Sequence, residues 1–112
     1  MLNKDKLQDM RKSYLLAKLS EINFRMAIHE GNANQRLASE APKILHLPVS
    51  KVPEPYKKGF DKLIDLVKNT IHSLSSPELI PIKIRGIQNR TAVKYIKLLI
   101  DIEKRLDVEC DH

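Results

Sequence analysis

A chain of 112 residues that is 42% hydrophobic and 30% charged fits one domain and carries enough apolar material for a core, which excludes disorder along its length. A formal charge of +6 favours polyanionic partners, while the absence of Trp and the scarcity of aromatics, three Tyr and two Phe, weigh against a base-stacking RNA surface. Cys110 stands alone, which excludes an intramolecular disulfide and points to a reducing compartment. Lys4, Asp5, Lys6 and Asp9 interrupt any secretory pattern, and no stretch is long enough to span a membrane, so the expected location is cytoplasmic.

The first predicted helix runs from about Lys4 to Glu30 and ends at Gly31 and Asn32, residues suited to a left-handed cap. It carries two apolar seams. One is Leu15, Leu19, Ile22 and Met26; the other is Met10, Tyr14, Ala17, Phe24 and Ile28. A basic ridge of Arg11, Lys18 and Arg25 lies between them, its long stems expected to snorkel. A helix with two stripes packs against two neighbours, both from one chain or one from a second copy, so a homodimer is one expected assembly.

A weaker helix follows over about Ala33–His46, capped by Asn32 or Asn34, with Leu37, Ala38, Ala41 and Leu45 on one side and Pro42 expected to kink or split it. Leu47 to Pro55, with Pro48 and Pro53, reads as a stiff extended linker. Pro55 opens the third helix, whose stripe is Tyr56, Phe60, Leu63, Val67, Ile71 and Leu74, broadened by Ile64. Its other face mixes Lys57, Lys58, Asp61, Lys62, Asp65 and Lys68, a solvated surface. Ser76, Pro77 and Glu78 suggest a further helical turn. Ile80 to Ile87 alternates like a strand but has no partner strand, and is expected as an extended connector with Lys83 and Arg85 pointing outward.

The last helix begins near Asn89 or Thr91 and continues to about Val108, with Val93, Tyr95, Ile96, Leu99, Ile100, Ile102 and Leu106 expected in the core. Arg90, Lys94, Lys97, Lys104 and Arg105 fall on the opposite face with only Asp101 among them. Between Ile82 and Ile100 there are five cations and no acid, although cations at a helix start oppose its dipole. A bound phosphate would relieve that; a merely solvated face would tolerate it.

The expected fold is therefore all-α over 1–112, a small bundle of three long helices and one short or broken helix closed by the extended connector. Two functions from different classes fit. The first is a non-enzymatic nucleic-acid-associated factor with Lys83, Arg85, Arg90, Lys94, Lys97 and Lys104 on phosphates. The connection before the last helix does not suit a helix-turn-helix, and Gln88 and Asn89 are the nearby amides able to read a base edge, Asn89 being more simply a cap. The second is a protein-interaction module, an adaptor, inhibitor or regulator, using Met10, Tyr14, Phe24 and Ile28. No catalytic group, cofactor or metal site is expected: His29, His46, His72 and His112 are scattered, and Gly31, Gly59 and Gly86 form no phosphate loop. Arg105 and His112, six residues between them, resemble in spacing the Arg–His motif of helical HEPN-type ribonucleases. Leu106 stands where that family places a polar residue, and no activity is carried over from so short a match.

Overall fold

The computed structural model describes the backbone of residues 4–73 and 88–110 and the side chains of residues 12–68 and 88–109. Four α-helices lie among the described residues: α1 (Lys4–Ile28), α2 (Ala33–Leu45), α3 (Glu54–Ser73) and α4 (Asn89–Cys110). A single 3-10 turn (Val49–Lys51) separates α2 from α3, and no described residue is in a strand, so the fold is all-α. Lys83, Arg85 and the expected connector around them lie outside the described residues, as do the Ser76–Glu78 turn and His112.

Apolar spacing decides how the helices meet. Leu15, Leu19, Ile22 and Met26 recur at helical intervals along α1 and are at most 2% exposed. They join Leu37, Ala38, Ala41 and Ile44 of α2, Phe60, Leu63 and Val67 of α3, and Leu99, Ile102 and Leu106 of α4 in one core. Each fully buried Leu or Ile contributes about 1.5–3 kcal/mol relative to exposure. Both α2 and α4 contact each of the other described helices, so the faces they leave outside are fixed by that packing.

Local chemistry sets the join between α1 and α2. Asn32 caps α2 by accepting from the Gln35 backbone N–H at 3.0 Å, and the Gln35 side chain accepts in return from the Asn32 N–H at 2.9 Å. The expected left-handed cap is absent, because no described residue has positive φ. Gly31 is required for space instead: a Cβ there would come within 2.5 Å of Gln35 Oε1 and 2.8 Å of His29 Cε1. The tight turn is held by the Gly31 N–H donating to His29 Nδ1 and by Arg36 Nε donating to the Gly31 carbonyl, both at 2.8 Å.

Three further expectations change. Pro42 neither splits nor ends α2, which runs through it to Leu45. It falls in the last turn, so the N–H it lacks costs a single ladder bond, the one to the Ala38 carbonyl, and little helix follows it. The linker is not simply extended: it tightens into the 3-10 turn, and Leu47 and Val52 on either side are 5% and 2% exposed, tying it to the core. The buried arc of α4 is also narrower than expected. Leu99, Ile102 and Leu106 are fully buried with Ala92, but Val93 is 52% exposed and Ile100 36%. Contact with α1, α2 and α3 covers one side of α4 and leaves these two outside it.

Candidate nucleic-acid and partner interfaces

The pairing of α1 with α4 aims the outer faces of both helices. Glu103 of α4 accepts from Asn23 Nδ2 at 2.7 Å and from Ser20 Oγ at 3.0 Å, and Asn23 Nδ2 also donates to the Leu99 carbonyl at 3.2 Å. The Asn23 Oδ1 atom is buried with no partner among the described residues. With the Ser20–Asn23 side of α1 fixed on Glu103, Lys94, Lys97 and Lys104 of α4 remain on its solvent side.

The first turn of α4 holds no acid. Arg90 is exposed and touches only Gln88 Oε1, at a long 3.5 Å, among the described residues. Lys94, Lys97 and Lys104 are exposed, and no described carboxylate lies within ion-pair distance of any of them, Asp101 included. Arg105 is different: its Nε is 3.1 Å from Glu109 Oε1, an i,i+4 pair that takes it out of the free set. Lys12 approaches the same carboxylate at 3.7 Å. The structure thus brings Arg90, Lys94, Lys97 and Lys104 onto one open face.

A second helix start adjoins that face. Asn89 does not cap its own helix as expected; its Oδ1 accepts from the Asn34 N–H of α2 at 3.2 Å. The α4 ladder begins instead with Ala92 N–H on the Gln88 carbonyl at 3.1 Å. The N-termini of α2 and α4 therefore meet, each the positive end of a helix dipole and neither with an acid in its first turn.

The ridge on α1 has another use. Arg25 Nε donates to Glu40 Oε1 at 2.8 Å, and the Glu40 side chain is only 6% exposed. Arg25 also lies 4.0 Å from Glu21, and Lys18 lies 3.9 Å from Glu21 and 5.6 Å from the centroid of the Tyr14 ring. Two of the ridge cations are therefore held inside the chain, while the Arg11 side chain is outside the described set. Sequence reasoning missed Glu40, although its place on the Leu37–Ala41–Ile44 stripe was a signal that a cation must reach it.

The second α1 seam is open. Tyr14, Phe24 and Ile28 are 54%, 65% and 64% exposed, and Ala17 is also exposed; the Met10 side chain is not among those described. A cleft of about 280 Å³ lies between this face and the end of α2, lined by Tyr14, Lys18, Glu21, Arg25, Lys43 and His46. Its cations are offset by Glu21 and by the negative carbonyl end of α2, which makes it a poor anion site.

Among the described residues no His, Cys, Asp and Glu side chains gather as three or more around a metal-sized centre, and no helix is long and apolar enough to cross a membrane. No protein-family model, curated protein or solved structure matches the chain, so what it does has to be argued from these two faces.

Proposed function

We propose that the chain is a non-enzymatic binding protein whose α4 face contacts the phosphate backbone of nucleic acid. One observation carries the reading: Arg90, Lys94, Lys97 and Lys104 lie exposed on one helix face with no ion pair among the described residues. Phosphate oxygens accept from such side chains without reference to sequence, and the adjoining helix N-termini add potential of the same sign. Lys83 and Arg85, close by in sequence, would extend the contact. The test is affinity for duplex DNA as a function of salt. Four phosphate contacts give a log–log slope of about −3 to −4. Absent binding, or a flat salt response, refutes the reading.

A second reading is favoured by the exposure of Tyr14, Phe24 and Ile28. Here α1 holds the apolar stripe of a partner helix, and the chain acts as an adaptor, inhibitor or regulator. Displayed amphipathic helices selected on the chain should lose binding to Phe24→Ser. If none is selected, or selected helices ignore that change, this seam is not an interface.

A further inference from the structure

We propose that a second copy of this chain docks antiparallel on the outer face of α1. This rests on the reading of that face as an interface and names its occupant. Tyr14, Ala17, Glu21, Phe24 and Ile28 are spaced three, four, three and four residues apart, the alternation of core positions in a two-stranded coiled coil. Four of the five are apolar, and the three large ones are more than half exposed although the core of the described residues lies on the other side of α1.

The face is self-complementary about Leu19. With a two-fold axis beside that residue, Tyr14 meets Phe24 of the partner subunit, and Ala17 meets the partner's Glu21. An aromatic pair thus forms on each side of the axis, and the one polar seam residue faces the smallest one. An isologous interface needs this property, since each residue must suit the residue its own dyad mate presents. A parallel pair would set Glu21 on the partner's Glu21.

Charge selects the same occupant. Lys18 borders the seam, so a partner helix must present an acid beside it. In the antiparallel register Lys18 comes within one residue's rise of the partner's Glu21, and the pairing occurs twice. A cluster of two acids and two bases then lies at the axis, and Arg25 stays on Glu40. The seam from Tyr14 to Ile28 is about 21 Å long, roughly two heptads, which is short for a two-stranded coiled coil. The dimer is therefore reversible and concentration-dependent.

Sedimentation equilibrium of the full chain tests this. The apparent mass rises from 12.9 kDa toward twice that value with concentration. Phe24→Glu holds it at the monomer value, with an unchanged circular dichroism spectrum because the site is already exposed. Lys18→Glu and Glu21→Lys are each monomeric alone, but their mixture associates, since each variant then presents the charge the other needs. On a Cys110→Ser background, mixed Tyr14→Cys and Phe24→Cys chains form the mixed disulfide in preference to either homodisulfide. A wild-type chain that stays at 12.9 kDa overturns the second copy, as does a dimer indifferent to Phe24→Glu or a preference for homodisulfides. A monomeric chain whose selected helices still depend on Phe24 would refute the self-pairing and leave the interface reading standing.

Discussion

Two rows of cations run along two helices of this chain, and they behave in opposite ways. On α1, Arg25 reaches a buried carboxylate and Lys18 lies between Glu21 and the Tyr14 ring. On α4, Arg90, Lys94, Lys97 and Lys104 meet no carboxylate among the described residues. Residue type and helical spacing are alike; the neighbours differ. A cation whose charge is already answered inside the chain is part of the fold, and one whose charge is unanswered is available to a ligand. That difference is what supports the proposal of an apolar partner for α1 and a polyanion for α4.

The largest expected effect breaks the α1 row. Arg25→Ala leaves Glu40 buried without its cation, and removal of one member of such a pair costs about 3 kcal/mol. Thermal unfolding measures that loss, and duplex affinity of the folded fraction should hardly move. Arg25→Met with Glu40→Met removes both charges and should recover most of the stability, because an apolar pair of similar size needs no desolvation of ions. If Arg25→Ala alone is harmless, the two rows are not different in kind.

Next in size is the α4 row. Lys94→Glu with Lys97→Glu should weaken duplex binding by roughly 30-fold, about 2 kcal/mol, at moderate ionic strength. The melting temperature should stay close to that of the unchanged chain, since neither side chain has an ion-pair partner among the described residues. A large fall in stability with no change in binding would invert the comparison.

How much of this was legible beforehand follows from what each residue's role depends on. The α1 core stripe, the Phe60–Leu63–Val67 stripe and the Asn32 cap are local patterns, and helical periodicity exposes them. The open seam at Tyr14, Phe24 and Ile28 was also visible as a second stripe, but whether anything in the chain covers it is a tertiary fact. The Arg25–Glu40 pair joins residues 15 apart on two different helices and the Glu103 contacts join residues about 80 apart, so no helical repeat relates the partners. Val93 and Ile100 depart from expectation because apolar character does not by itself decide burial, and folded surfaces carry many apolar atoms.

A smaller effect separates shape from recognition at the edge of the α4 face. Asn89 accepts from the Asn34 N–H, so Asn89→Ala removes a capping bond at the start of α2 and should cost about 1 kcal/mol of stability. Discrimination between duplex sequences should be unchanged, because its carbonyl oxygen is engaged within the chain. A change in sequence preference without loss of stability would make Asn89 a base-reading residue.

The smallest effect concerns Asp101, the single acid the sequence places among the α4 cations. It is half-buried and forms no ion pair with Lys94, Lys97 or Lys104, so its removal breaks no ion pair among the described residues. A phosphate approaching the face meets its charge as repulsion at a distance screened by salt. Asp101→Asn keeps the shape and deletes that repulsion, and duplex affinity should rise roughly threefold at low salt, about 0.6 kcal/mol, with the gain shrinking as salt is added. The α1 row supplies the contrast. Removing an acid there, with Glu21→Gln, strips a neighbour from Lys18 and Arg25 but adds no free cation to the α4 face, so the same titration should show no gain. Equal gains from both substitutions would mean that net charge, and not the arrangement on α4, governs binding.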